Sequence, residues 1–429
     1  MLPDYLQSLA NNESHANSFT NYSPDTIVSI LNLLGNPQHK LPCIHIAGTN
    51  GKGSTAYMIA AILQAAGYIV GLYTSPHLLR YNERIAINGK EITDEELSEY
   101  SEMLETLCKT HSYTPTFFDA FTIIAIVHFL NSVDIAIIET GLGGRLDSTN
   151  VVSPLVSVIT PISYDHTAIL GTTLQEIAYQ KAGIIKHNTP VISAPQKPDV
   201  KEVLQEEAIL KKSPILFVGK DINFTMKSQN PLIFDVECNH PLFGEYKRLQ
   251  NIHCSLTGDF QAANSTVAIA TTLLLNKNNW PIVYENIYHA MSNLYIPGRC
   301  EVLSKEPLMI FDCAHNPEAL EHTLKNITKQ YANCKKILCI SFMKDKDVTR
   351  MLSIIQRFTS KPIFYLQIPD SRCYIPDEEI KLLFSLNIFT ETEQLVKLLK
   401  LHSDPNTMII FTGTFRLYPY SKHISSLLQ

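Results

Sequence analysis

"IHIAGTNGKGST", residues 44–55, joins one apolar run to another, and its reading decides the fold. Residues 41–47 (LPCIHIA) predict a buried strand, and Ser54 to Ala66, stopped by Gly67, predict a helix. Between them lie Gly48, Gly51, Lys52 and Gly53. Glycines let backbone N–H groups curl around an anion, with a helix N-terminus facing it. Lys52 can meet β/γ-phosphate oxygens, and the Ser54 hydroxyl can take Mg²⁺. The stretch departs from the common G-x-x-x-x-G-K-[ST] loop, because Ile46 replaces its first Gly and Gly53 its Ser or Thr. A glycine-rich turn with an exposed lysine is the bland alternative. Three glycines, Lys and Ser in strand–loop–helix order favour phosphate, but the loop alone does not say which reaction.

Outward from the loop, strand-like runs follow at 68–73, 134–139, 155–160 and 190–194, with helical patterns at 94–110, 117–131 and 173–183. Such alternation predicts a parallel sheet covered on both faces. Residues 214–257, broken by Asn, Gly and Pro, predict an antiparallel flank. After "YIPGRCE" (295–301) a second alternation begins, with strands at 307–312, 336–342, 362–368 and 408–412. Helices are predicted there at 317–331, 346–358, 376–386 and 391–402. The expected fold is therefore α/β: a P-loop parallel-sheet ATPase domain over 1–296, then a smaller Rossmann-like α/β domain over 297–429. Two domains suit 429 residues, which is long for one core.

Composition narrows the classes. With 45% hydrophobic and 18% charged residues the chain is ordinary globular protein. A net charge of −6 supplies no general attraction to nucleic acid or membrane, so an anionic ligand must be met by local Lys and Arg. The nine cysteines include no C-x-x-C pair, which predicts reduced thiols in a cytoplasmic protein. The opening "MLPDYLQSLANNESHANS" has neither a basic n-region nor an apolar h-region, so no secretory signal is expected.

Other stretches carry chemistry. "YTSPHLLRYNERIAINGKEI" (73–92) sets Ser75 and His77 at a strand end, where ligand loops of open α/β sheets gather. Arg80 and Arg84 could receive an anionic substrate there, though a surface hairpin explains the stretch equally well. In "IETGLGGRLDSTN" (138–150), Glu139 ends an apolar strand, so its carboxylate emerges where Mg²⁺-phosphate would lie. Asp165 and His166 follow another strand, and Lys181 falls near a helix end, where exposure is the default for a lysine. "TPTFFDAFT" (114–122) offers Phe117 and Phe118 at a helix start, as core or as faces on which a planar ligand stacks.

In order, GTNGKGST, TSPHL, YNERI.ING, GLGGRLDSTN, DH....G.T, KAGI.K, PGRCE and D.AHNP span Leu33 to Thr414. Together they resemble the folylpolyglutamate synthase/dihydrofolate synthase family of the Mur ligase superfamily. That resemblance explains the loop, since G-x-x-G-K-G-S is this superfamily's own form. It implies an ATP-dependent amide ligase that adds L-glutamate to dihydropteroate and to reduced folates through an acyl phosphate. ATP would be held by Thr49, Asn50, Gly51, Lys52, Gly53, Ser54, Asn264, Arg299 and Asp312. Ser54, Ser75, Glu139 and His166 would bind metal, with two Mg²⁺ ions expected. Lys52, Lys181 (as a carbamate) and His315 would be catalytic. Thr116, Phe118, Leu146, Asp147, Ser148 and Arg80 would line the folate or dihydropteroate pocket. A monomer is expected, with neither nucleic acid nor membrane as partner.

A folylpolyglutamate synthase lacking the dihydropteroate reaction would use the same ATP residues. A muramyl-peptide ligase would carry a further N-terminal domain of roughly 100 residues. Gly48 is reached after 47 residues, which argues against it. A P-loop switch or binding ATPase would share the loop but gives no reason for Arg299, the "AHNP" turn or a second α/β domain.

Overall fold

Cys43–Ala47 (β1) is buried along its whole length, as a strand covered on both faces must be. In this computed structural model, which describes residues 2–15, 23–244, 247–276, 279–359, 363–402, 404 and 406–428, β1 lies inside an eight-stranded sheet. The other strands are β2 (Val70–Tyr73), β3 (Ile85–Ile87), β4 (Lys90–Glu91), β5 (Ile135–Glu139), β6 (Val156–Ile159), β7 (Val191–Ser193) and β8 (Ile215–Phe217). Their order is β4-β3-β2-β5-β1-β6-β7-β8. β2, β5, β1, β6, β7 and β8 run parallel, while β3 and β4 close one edge antiparallel. The chain leaves β1 between β5 and β6, so the loop after it opens at the carboxyl ends of the central strands, where open α/β sheets bind ligands.

Helices Lys52–Ala65, Asp94–His111, Phe117–Phe129 and Leu174–Ala182 connect these strands. The antiparallel flank expected over 214–257 is corrected at its start. Ile215–Phe217 pairs parallel with β7, and only β9 (Ile222–Gln229), β10 (Leu232–Cys238) and β11 (Lys247–Cys254) form a separate three-stranded sheet.

The chain divides into two compact units. One comprises 1–228, 233–255 and 261–294; the other comprises 229–232, 256–260 and 295–429. The second is built on β12 (Glu301–Lys305), β13 (Leu308–Phe311), β14 (Lys335–Ile340), β15 (Ile363–Leu366), β16 (Leu386–Phe389) and β17 (Thr407–Thr412). Its order is β12-β13-β17-β14-β15-β16, parallel except for the β12 edge. The helix expected over 376–386 is shorter. It ends at Phe384, where Ser385 turns left-handed with φ +50°, and the chain enters β16 directly. Position 362, the first of the strand expected at 362–368, lies outside the described residues.

Candidate active site

The loop after β1 is fastened to the segment after β6. The amides of Thr49 and Asn50 both donate to the Pro161 carbonyl, and the Thr49 hydroxyl donates to Ser163 O at 3.0 Å. The Asn50 amide group adds a bond to Ser163 Oγ at 3.2 Å. This leaves the amides of Lys52, Gly53 and Ser54, the first turn of the following helix, without intrahelical partners, as an anion requires. Gly51 caps that helix at φ +85°, and a Cβ on it would meet Asn264 Oδ1 at 2.6 Å. The buried Asn264 therefore reaches the phosphate loop. At Gly48, with φ +149°, a Cβ would stand 1.9 Å from Thr160 Oγ1. Gly48→Ala should destabilise the protein by about 3 kcal/mol through this clash. Chemical denaturation tests it, and unchanged stability would show that the loop yields more easily than its packing implies.

Glu139, at the carboxyl end of β5, is buried, and its Oε1 lies 3.7 Å from Lys52 Nζ. Its Oε2 faces the Ser75 amide at 3.4 Å. Ser75, Lys52 and Glu139 are thus brought together from the ends of β2, β1 and β5. Lys181, in the last turn of its helix, is only 5% exposed, contrary to the default for a lysine there. Its Nζ donates to the Gly48 carbonyl at 2.8 Å. Burial first, and then the charge of Lys52, push it down to about 7, against the opposing pull of Asp165 and Asp147. His166 precedes a short helix with φ +49° and has Asp165 Oδ1 at 3.9 Å from its Nε2.

A second group gathers beside Glu139. Thr116 caps the helix Phe117–Phe129 in a reciprocal box with Asp119. Asp119 Oδ1 also accepts from Ser148 Oγ at 2.6 Å, which ties the helix start to the turn at 141–149. Phe118 stacks near Tyr73 with ring centroids 6.0 Å apart and covers Gly141, where a Cβ would approach its ring to 2.5 Å. Thr116, Phe118, Asp147 and Ser148 are thus gathered around one turn, with Leu146 exposed on it. Asp119 is absent from the residues singled out in the sequence, although the T-x-x-D spacing of a capping box was its signal. Asp119→Ala should cost about 2 kcal/mol, as a lost cap plus a lost buried bond. A denaturant midpoint equal to wild type would contradict this.

Arg80 is exposed and paired with Glu91 at 2.6 Å, so the surface-hairpin alternative describes much of 80–91. Arg84 instead lies over the rings of Tyr81, Phe117 and Phe121 and donates to His77 Nδ1 at 3.1 Å.

In the second unit, Asp312 follows β13 and accepts from the amides of Cys300 and Ala314 and from the Thr323 hydroxyl. It thereby shapes the turn that carries Arg299. The Arg299 guanidinium lies 5.5 Å from the Phe415 ring centroid, and the His315 ring packs on the same phenylalanine at 5.1 Å. Phe415 was not foreseen, since a lone aromatic after a strand gives no pattern to read.

Comparison with known proteins fits this geometry. Residues 46–272 match the Mur ligase middle domain and 298–415 the Mur ligase glutamate ligase domain. The chain is 37% identical over 335 residues to the dihydrofolate synthase/folylpolyglutamate synthase of Bacillus subtilis (strain 168), covering 75% of this chain and 76% of that one. Among solved structures it is similar to Mycobacterium tuberculosis folylpolyglutamate synthase complexed with ADP and AMPPCP, with TM-score 0.84 and 26% identity over 98% of this chain and 99% of that one. It is similar also to E. coli FolC in complex with DHPP and ADP, with TM-score 0.85 and 25% identity over 99% and 97%. A strand-end phosphate loop, a Lys52–Glu139 pair beside it and two matched ligase domains place the chain in the folylpolyglutamate synthase/dihydrofolate synthase family of the Mur ligase superfamily, the ATP-dependent ligases.

Proposed function

We propose that the chain joins L-glutamate both to dihydropteroate and to tetrahydrofolates, using ATP to activate the acceptor's carboxyl group. The observation that carries this is the meeting of Lys52, Glu139 and the buried Lys181 at the phosphate loop. The E. coli neighbour holds DHPP and ADP, and the B. subtilis relative is named for both activities, which supports the two-acceptor reading.

A carboxylate is a poor acyl donor because its oxygen leaves badly. Transfer of the γ-phosphoryl group turns that oxygen into a phosphate leaving group, which the glutamate amine displaces. Lys52 and the amides of Gly53 and Ser54 face the charge that moves during transfer. Asn264 borders the loop, and Arg299, Asp312 and His315 are the residues that the family resemblance assigns to ATP. Thr116, Phe118, Leu146, Asp147 and Ser148 shape the acceptor's end.

Mg²⁺ suits the residues present. The donors proposed are hard oxygens, from the buried Glu139 carboxylate and the Ser54 and Ser75 hydroxyls, together with the His166 imidazole. Among the described residues no group of three or more His, Cys, Asp or Glu is placed to hold a metal ion by itself, so Mg²⁺ here would take part of its shell from waters and substrate oxygens. When bound, Mg²⁺ supplies charge neutralisation at the phosphoryl oxygens. Lys181 fits a carbamate: burial gives it the uncharged amine that attack on CO₂ requires, and the product is an anion plus a released proton.

No helix among the described residues is long and apolar enough to cross a membrane, and all nine cysteines are free thiols. A cytoplasmic monomer is part of the same proposal.

The test supplies dihydropteroate or tetrahydrofolate with ATP and L-glutamate and detects products by mass. Dihydrofolate from the first and an added glutamate on the second are expected. Extension of tetrahydrofolate with none of dihydropteroate would leave a folylpolyglutamate synthase alone, the activity named for the M. tuberculosis neighbour.

A further inference from the structure

His45, in the middle of β1, is wholly buried, and none of the chemistry above uses it. Its Nε2 lies 2.8 Å from Thr149 Oγ1, although 104 positions separate the two residues. Thr149 Oγ1 in turn donates to Asp147 Oδ1 at 2.5 Å. A hydroxyl has one proton to give. Thr149 gives it to the carboxylate, so it accepts from His45, and the imidazole proton sits on Nε2. His45 Nδ1 then keeps a lone pair, and it has no partner among the described residues. An orphaned acceptor is tolerated in an interior better than an orphaned N–H, which favours the same tautomer. Burial, reinforced by nearby Lys186, pushes the ring down to about 3, so it stays neutral.

At its far end the chain of bonds reaches the turn. Asp147 is 5% exposed; its Oδ1 also takes the Thr149 amide at 3.0 Å, and its Oδ2 takes the Leu142 amide at 2.7 Å. An ionised carboxylate has about four lone-pair sites. Three are taken by these bonds and the Gly141 amide acts on the same group, so the orientation the carboxylate presents to a ligand is set by Thr149 and the amides around it. The Thr149 hydroxyl is held from both sides, by its own bond to Asp147 Oδ1 and by the His45 N–H, and the latter is the one restraint that comes from outside the turn.

We propose that His45 is a positioning residue, which through Thr149 orients Asp147 as a hydrogen-bond acceptor for the acceptor substrate. This rests on the reading that Asp147 borders the folate end of the site. His45 touches no substrate, and its effect reaches the ligand only along the bonds His45 Nε2–H to Thr149 Oγ1–H to Asp147 Oδ1.

The experiment uses the full-length protein and the variants His45→Leu, His45→Gln, Thr149→Val and Thr149→Ser. Steady-state kinetics give KM for dihydropteroate and for ATP, and ¹⁵N NMR of labelled histidine reads the ring tautomer. His45→Leu and Thr149→Val should each raise the dihydropteroate KM about tenfold, roughly one lost hydrogen bond, with the ATP KM within twofold. His45→Gln and Thr149→Ser, which keep the donor, should restore most of it. The double variant should be no worse than Thr149→Val, since both cut one chain. Wild-type NMR should show an Nε2–H tautomer that persists below pH 5. Where the substituted variants are too unstable to purify, the tautomer and the two conservative variants decide. An unprotonated Nε2, or a His45→Leu variant with wild-type dihydropteroate KM, overturns the relay alone. Equal rises in both KM values overturn it in favour of a packing role. A wild type that ligates no folate acceptor removes the underlying reading and the proposal with it, and then the NMR result separates the two failures.

Discussion

Lys52→Ala is expected to lower ligation by at least about 10³-fold, because it removes the cation that faces the phosphate loop and the Glu139 carboxylate. Lys52 opens the helix at the carboxyl end of β1, so its ammonium and the helix amides converge on one anion. Lys181, also beside the loop, is buried and donates to Gly48 O, and as a carbamate it would carry no positive charge with which to replace Lys52. Circular dichroism and the thermal transition would confirm that the variant folds. Near-normal turnover in the folded variant would remove Lys52 from phosphoryl transfer.

Lys181→Ala should lose a comparable factor and regain part of it when formate or acetate is added, since a small carboxylate can occupy the place of a carbamate. Lys181→Arg should not recover, because a guanidinium forms no carbamate. A ¹³C carbamate resonance from labelled bicarbonate, present in wild type and absent in Lys181→Ala, is the direct readout. The same residue makes a stability prediction. Its folded value near 7 lies below the ordinary 10.5, so between these pH values the unfolded chain binds more protons. Stability of the unmodified protein should therefore rise with pH across that window, with the full penalty present below about 7. Replacing Lys181 by Met should flatten this slope. A slope equal to wild type would show that the lysine is solvated in solution.

The alternation of strands and helices was legible because a parallel sheet buried on both faces leaves unbroken apolar runs, as in Ile135–Glu139. The phosphate loop was legible for a similarly local reason: glycines and a lysine must sit between one strand and one helix. Elements that escaped notice have weaker local signatures. Glu301–Lys305 is an edge strand with irregular burial and three polar residues in five, and Leu386–Phe389 follows a helix after one left-handed serine. Ile215–Phe217 is too short to reveal whether its partner runs parallel. In the site, Glu139 could be placed from sequence because strand ends point at the ligand edge. The buried state of Lys181 could not, because it depends on Gly48, 133 positions away. His45 was hidden for the same reason, as a histidine inside an apolar strand reads as core until Thr149 is seen beside it.

Activation of the acceptor's carboxyl group by ATP is the central claim, and oxygen tracing tests it most directly. Dihydropteroate labelled with ¹⁸O in its carboxyl group is supplied with ATP and L-glutamate, and the released phosphate is analysed by mass. One ¹⁸O per turnover should appear in the phosphate, with ADP release dependent on both acceptor and glutamate. Amide formation without ¹⁸O in the phosphate, or ADP release indifferent to the acceptor, would contradict the account.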